Sequence, residues 1–244
     1  MIILFSDFGL EGPYTGQVKA VLWRDAPGVP VIDLFADAPT ARPMQSAYLL
    51  AAYSAWFPAG TVVLAVVDPG VGGDRAAVTV EADGRLYVGP DNGLFELVLR
   101  RAGSPRGWEI EWRPAVLSAS FHGRDLFAPV AARLARGESP ATLGRQAALS
   151  RRPDWPDDLG EIVYIDHYGN AIMGMRAAAL PPGARLEVAG RIVVPARTFS
   201  AVPSGTAFWY ANSNGLAEIA VNGGSAAAVL GLSIGARATV LPPV

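Results

Sequence analysis

The sequence predicts a two-part α/β protein: an N-terminal domain at residues 1–150 with a mostly parallel sheet and flanking helices, and a smaller C-terminal antiparallel β-barrel or sandwich domain at residues 160–244. Two observations predict it. As far as Ala135, short apolar runs alternate with segments whose apolar residues recur at helical spacing, which is the signature of strand-helix units. Beyond Gly160 that spacing stops, and short strands recur between Gly- and Asn-rich turns. Between them, Gly137 to Gly160 is rich in Pro, Ser and charge and reads as a linker.

The first strand is Ile2 to Phe5, and Gly9 and Gly12-Pro13 lead into an amphipathic helix from about Tyr14 to Arg24. Pro30 to Phe35 is a second strand. Pro43 to Phe57 is an Ala-rich helix stopped by Pro58, with Trp56 expected in the core. The most informative strand is Val62 to Val67: five of its six residues are Val or Leu, as in a strand buried on both faces of a parallel sheet, and Asp68 follows at its carboxyl end. Ala76 to Glu81 and Arg85 to Val88 flank Ala82-Asp83-Gly84 as a hairpin. Gly89 to Phe95 is a turn before a short helix, and Trp108 to Trp112 alternates like an exposed edge strand. A further helix opens at Phe121-His122-Gly123-Arg124-Asp125, where Asp125 suits an N-cap, and runs through Ala135. The C-terminal strands expected are Glu161 to Asp166, Ala171 to Met175, Arg185 to Val194, Thr206 to Ala211, Leu216 to Val221 and Arg237 to Leu241.

Composition narrows the function. The chain has 20 basic and 22 acidic residues, a net charge of -2 and no long run of either sign, which leaves no electrostatic footprint for nucleic acid or an anionic membrane. A small-molecule partner is expected. The absence of cysteine excludes disulfides, thiolate metal sites and thiol nucleophiles, and with only two histidines no dedicated transition-metal site is expected. Met1 to Asp7 lacks the basic start of a signal peptide, and no apolar run approaches the ~18 residues of a membrane span. A cytoplasmic protein is expected. Gly9, Gly12 and Gly16 do not fit G-x-G-x-x-G, which argues against dinucleotide binding.

Ligands of open α/β sheets bind beyond the carboxyl ends of strands, so Asp7 and Asp68 are candidates, as are Arg75 in the Gly-rich loop after Asp68 and His122 among charged neighbours. Each has an ordinary alternative: Asp68 as a turn residue, Asp68 with Arg75 as a structural ion pair, His122 as a structural histidine.

Six blocks in order, Ser6-Asp7-Phe8-Gly9, Val67-Asp68-Pro69-Gly70-Val71-Gly72 with Arg75, Gly89-Pro90-Asp91-Asn92-Gly93, Phe121-His122-Gly123-Arg124-Asp125, Ile165-Asp166-His167-Tyr168-Gly169-Asn170 and Asn212-Ser213-Asn214-Gly215, resemble the S-adenosyl-L-methionine hydroxide adenosyltransferases, relatives of the fluorinase and chlorinase enzymes. The resemblance implies hydrolysis of S-adenosyl-L-methionine to adenosine and L-methionine, by attack of water or hydroxide on ribose C5′. It implies that Asp68, Arg75 and His122 hold and activate the water, a trio the halogenating relatives lack. It places Asp166 on the methionine amine, Asn170 on the adenine side and Ser213 on the methionine carboxylate, with Phe8 and Tyr168 lining the pocket. Where the halogenating enzymes carry an Asp for the ribose hydroxyls this chain has Gly12, so Asp7 and Glu11 are the candidates there, and Asn214 stands in place of an Arg. It further implies a homotrimer whose substrate lies between the N-terminal domain of one subunit and the C-terminal domain of its neighbour.

The residue types suit that chemistry. A sulfonium departs as a neutral sulfide and needs no general acid, so the demand is alignment of a small nucleophile, with His122 to accept a proton and Arg75 to favour hydroxide. No metal or cofactor is expected. Three other readings stay open: a halide-using enzyme, a non-catalytic nucleoside- or S-adenosyl-L-methionine-binding module, and a metal-dependent hydrolase.

Overall fold

The computed structural model describes residues 1–243. It divides into two compact units, Met1–Arg152 and Pro153–Val244. In the first, β1 (Ile2–Ser6), β2 (Val31–Phe35), β3 (Val62–Val66), β4 (Ala77–Ala82), β5 (Arg85–Pro90), β6 (Arg106–Ile110) and β7 (Gly144–Gln146) form one sheet in the order β2-β1-β3-β5-β4-β6-β7. The helices are α1 (Tyr14–Asp25), α2 (Pro43–Tyr53), α3 (Glu96–Arg101), α4 (Ala128–Ala135) and α5 (Pro140–Leu143).

The sheet is parallel from β2 to β5 and antiparallel from β5 to β7. The switch comes from the two-residue turn Asp83-Gly84, both at positive φ, which folds β4 back on β5 as a hairpin. β1 and β3 are buried along their whole length. Their alternate residues Ile2, Leu4, Val62, Leu64 and Val66 share a core with Val18 and Leu22 of α1 and Val130, Ala131 and Leu134 of α4. Strand alternation and the 3.6-residue helical repeat meet there, so each apolar face covers the other.

The second unit holds β8 (Leu159–Ile165), β9 (Ala171–Arg176), β10 (Arg185–Val188), β11 (Arg191–Pro195), β12 (Ala207–Ala211), β13 (Leu216–Val221), α6 (Ala226–Leu230) and β14 (Ala238–Leu241). Its sheet runs β14-β10-β11-β12-β13-β9-β8, antiparallel except for β11 with β12. A bridge from Glu161 in β8 to Arg237, just before β14, brings the two ends almost together into a barrel.

Several local expectations change. Trp56 is 70% exposed rather than in the core, because α2 ends at Tyr53 and the chain leaves through a single tight turn, Ser54–Trp56. Trp108 is not on an exposed edge: three residues of β7 pair outside β6 and leave it 6% exposed. Arg185 to Val194 is a hairpin, since Ala189 and Gly190 both take positive φ. α6 is too short to show periodicity, and the Ser225 hydroxyl caps it by accepting from the Ala228 amide. Among the described residues, no helix is long and apolar enough to cross a membrane.

The expected linker is in part anchored to the first unit, which contains α5, β7 and the chain up to Arg152. The anchor is Glu96, whose side chain is 1% exposed and accepts from Arg100, from Arg151 and from the Arg152 amide. Burial works against its charge, yet Arg151, the Arg152 N–H and Arg100 together hold its pKa below the ordinary value. Glu96→Ala strips this charge cluster of its centre and is expected to lower unfolding free energy by about 3 kcal/mol, measured by urea denaturation. Because the folded pKa is depressed, the stability Glu96 contributes is present above its unfolded pKa and is lost as pH falls through the folded one. The variant should therefore show less acid-induced loss than the parent.

Candidate active site

The register Ile2↔Val62 through Ser6↔Val66 ends β1 and β3 level with each other, so Asp7 and Asp68 emerge at the same sheet edge. Asn92 reinforces that edge: its Nδ2 donates to the Val67 carbonyl at 2.9 Å, and its Oδ1 accepts from the Leu94 amide at 3.2 Å. The block around Asn92 reads in the sequence as a plain turn; it also buttresses the residue preceding Asp68.

From Asp68 the chain loops through Gly70–Gly73 and returns Arg75 against the carboxylate. Arg75 Nε donates to Asp68 Oδ1 and Oδ2, each at 3.0 Å, and its Nη2 donates to Oδ2. The same Nη2 lies 2.8 Å from His122 Nδ1. The guanidinium also sits 5.2 Å from the centre of the Phe127 ring. Asp68 and Arg75 are 5% and 12% exposed, so the fork is largely screened from solvent. The three expected residues are therefore brought into one hydrogen-bonded unit.

His122 enters from a loop that ends in a π-helical turn, Gly123–Phe127. Asp125, expected as an N-cap, lies inside that turn instead. It accepts from the Ser118 amide at 2.9 Å and takes the fork of Arg124, which orders the loop just before His122. A guanidinium only donates, so His122 Nδ1 is the acceptor and the neutral ring carries its proton on Nε2. That departs from the proton-accepting role expected of His122. Burial, followed by the charge of Arg75, lowers its pKa, so the ring is neutral at neutral pH.

A cavity of about 120 Å³ lies against this cluster, lined by Asp7, Phe8, Asp68, Val71, Phe121 and His122 among others. It has room for a few atoms and a nucleophile. Phe8 packs edge-on against Phe121, ring centres 5.7 Å apart. Asp7 accepts from the Ala41 amide at 2.8 Å, and burial raises its pKa, with Asp68 adding to the rise. Glu11 is exposed and does not line this cavity. A larger cavity of the first unit, about 940 Å³, is lined by Arg24, Trp112, Arg124 and Arg133, with none of the trio. These arginines already meet Asp25, Asp125 and Glu138, so size alone does not mark the chemistry.

In the second unit a cavity of about 590 Å³ is lined by Asp166, Tyr168, Asn170, Phe199, Tyr210 and Gly223 among others. Asp166 organises its own turn: Oδ1 accepts from the Tyr168 and Asn170 amides, and Oδ2 accepts from Asn170 Nδ2 at 3.0 Å. Asn170 Oδ1 is buried without a hydrogen-bond partner, a cost of about 1–3 kcal/mol that a ligand donor would relieve. Ser213 is exposed, on the turn that runs from Asn212 to Gly215, and is outside the residues lining this cavity. Phe199, in a single tight turn, and Tyr210, in β12, were not among the expected residues; an aromatic in a turn or a strand carries no mark that separates a pocket wall from a core.

A buried Asp-Arg-His cluster at the carboxyl ends of parallel strands, beside a small cavity, and a barrel-like unit with an aromatic-walled cavity of its own define a two-domain protein, α/β followed by β. The chain belongs to the SAM hydroxide adenosyltransferase family: the model of the family's N-terminal domain matches residues 2–144, and that of its C-terminal domain matches residues 160–239. It is 44% identical to a Thermus thermophilus protein named (R)-S-adenosyl-L-methionine hydrolase, over 96% of each chain. It is 39% identical to a Salinispora arenicola protein of the same name, over 94% of this chain and 93% of the relative. A solved structure of an uncharacterized conserved protein from Thermotoga maritima superposes with a TM-score of 0.90 at 30% identity, covering 99% of this chain and 100% of that one.

Proposed function

We propose that the protein hydrolyses S-adenosyl-L-methionine, in the (R) configuration at sulfur, to adenosine and L-methionine. The observation that carries the reading is the bridge of Arg75 between Asp68 and His122, the two members of the trio that line the small cavity, with Arg75 behind them. The oxygen of water or hydroxide attacks ribose C5′, the C5′–S bond breaks, and its electron pair leaves on sulfur as the neutral thioether of methionine. The proton of the attacking water passes to solvent.

In this reading Arg75 supplies fixed positive charge where the nucleophile is held, which favours its deprotonated form. His122, with Nδ1 occupied by Arg75, offers Nε2–H as a donor that orients the oxygen. Asp68 keeps the guanidinium in place through the fork. Asp7 serves the ribose hydroxyls, Phe8 the sugar wall, Asp166, Tyr168 and Asn170 the remainder of the substrate, and Ser213 the methionine carboxylate. No cofactor or metal is used, and activity is retained in EDTA. The assembly is a cytoplasmic homotrimer, for which light scattering should return three times the chain mass.

The test incubates the purified protein separately with the (R) and (S) sulfonium epimers in heavy-oxygen water and follows products by chromatography and mass spectrometry. Adenosine should form from the (R) epimer and carry the label on its 5′ oxygen. No adenosine above the uncatalysed rate, or equal rates from wild type and His122→Ala, would overturn the proposal.

The pH dependence has a defined sign. Protonating Nδ1 breaks the bond from Arg75 and sets two cations side by side, so kcat should fall as pH drops through a value below the ordinary histidine pKa and stay flat near neutrality. A limb centred above pH ~6.5 would contradict it.

A further inference from the structure

Glu218 stands in the middle of β13, a strand buried along its length with β12 on one side and β9 on the other, and is only 4% exposed. A carboxylate there is unusual unless it is paired with a cation. Among the described residues no lysine or arginine forms a salt bridge or hydrogen bond with it, and the charge of another acid, Asp166, works against its ionisation.

Its hydrogen bonds show why it tolerates the position. Oε1 accepts from the hydroxyl of Tyr210, its cross-strand partner. Oε2 accepts from Asn212 Nδ2 at 3.0 Å. The orientation of Asn212 is fixed, because its Oδ1 already accepts from the amides of Asn214 and Leu216 at 2.9 and 3.0 Å. Its Nδ2 therefore has to donate, and Glu218 receives two donors as a carboxylate does. Tyr210 in turn forms a wall of the cavity that also holds Asp166. Two acids thus serve this cavity, and among the described residues no basic side chain lines it.

We infer that Glu218 is a positioning residue whose uncompensated negative charge, one hydrogen bond behind the Tyr210 wall, makes this cavity select a cationic sulfonium ligand over its neutral thioether counterpart. The ligand supplies the counter-charge that the fold withholds. Burial pushes the Glu218 acid towards its neutral form, against the pull of Tyr210 and Asn212, and an arriving cation stabilises the carboxylate. The inference rests on the proposed hydrolysis, since it takes the substrate's sulfonium to be that cation. After C5′–S cleavage the sulfur and adenosine are neutral and only the ammonium of methionine, which substrate and thioether share, stays charged, so the attraction to the sulfonium is lost with the bond.

The experiment compares KM for S-adenosyl-L-methionine with the inhibition constant of S-adenosyl-L-homocysteine, which lacks one methyl group and the sulfonium charge. Glu218→Gln keeps the shape and removes the charge; it should raise KM roughly tenfold, the scale of one charge acting across several ångströms of partly polar protein. The homocysteine constant and kcat should stay within about twofold, well inside the effect of one charge. Glu218→Asp keeps the charge on a shorter arm and should preserve the ratio of the two constants while weakening both. Equal weakening of both ligands in Glu218→Gln, no change in either, or a collapsed ratio in Glu218→Asp overturns the inference. A wild-type enzyme that forms adenosine without distinguishing the two ligands also overturns it and leaves the function standing. A wild type that neither hydrolyses nor binds the sulfonium removes the function itself.

Discussion

Arg75→Lys is expected to lower kcat by about 10³ while KM moves less than about threefold, because it removes an arrangement realised at the reacting atoms rather than uniform binding. Lysine keeps the charge and loses the fork. One ammonium cannot span both oxygens of Asp68, reach His122 Nδ1 and lie over Phe127, which the guanidinium does at once. With Nδ1 released, the imidazole is free to place its proton on either nitrogen. Asp68, 5% exposed, would lose most of its partner, so thermal unfolding belongs beside the kinetics. Steady-state rates of adenosine formation on protein with a native circular dichroism spectrum decide the matter. If Arg75→Lys kept more than about a tenth of kcat, the fork would be a structural ion pair beside a turn and the nucleophile would be held by other groups.

Gly72→Ala is expected to reduce kcat by about 10²-fold with a much smaller loss of stability, through position alone. Gly72 has φ +80, and a Cβ added there would stand 2.5 Å from the Ala119 carbonyl oxygen. Gly72 belongs to the loop joining Asp68 to Arg75, and Ala119 belongs to the loop leading to His122. Their close approach is what lets Arg75 reach His122, and the added methyl pushes the loops apart at the bridge. Gly60→Ala serves as the control: φ is +83 there, yet an added Cβ meets nothing within 4 Å. It carries the same left-handed backbone cost, about 1 kcal/mol, without the collision. Full activity in Gly60→Ala beside a loss in Gly72→Ala locates the effect at the loop contact; equal activities would show that the loops tolerate separation.

Much of the fold was legible because its signals are local. The apolar run Val62 to Val67 could be buried on both faces only in the interior of a sheet, and β3 lies there. Asp83-Gly84 marked its hairpin because few residue pairs accept positive φ in succession. Trp56, Trp108 and α6 were misread or missed for one shared reason. Whether an aromatic is covered, or a five-residue helix persists, depends on neighbours far away in the chain: in β7, Gln146 pairs with Trp108 from 38 positions downstream. Asp125 fitted an N-cap in sequence, but packing of the π turn gave its carboxylate to Ser118 and Arg124.

The candidate site divides along the same line. The sequence by itself determined which chemical groups were available: two acids at strand ends, a Gly-rich loop with an arginine, one histidine among charges, and a β-rich second unit with polar turns. Only the tertiary structure decided that Arg75 forks Asp68 while donating a hydrogen bond to His122 Nδ1, which makes the neutral imidazole a donor at Nε2. It alone placed Glu218 behind Tyr210, with no basic partner among the described residues, and Ser213 outside the cavity lining. Residue type and spacing fix what a side chain can donate or accept; which lone pair is taken, and by whom, depends on contacts between residues separated by 47 positions, as Arg75 and His122 are.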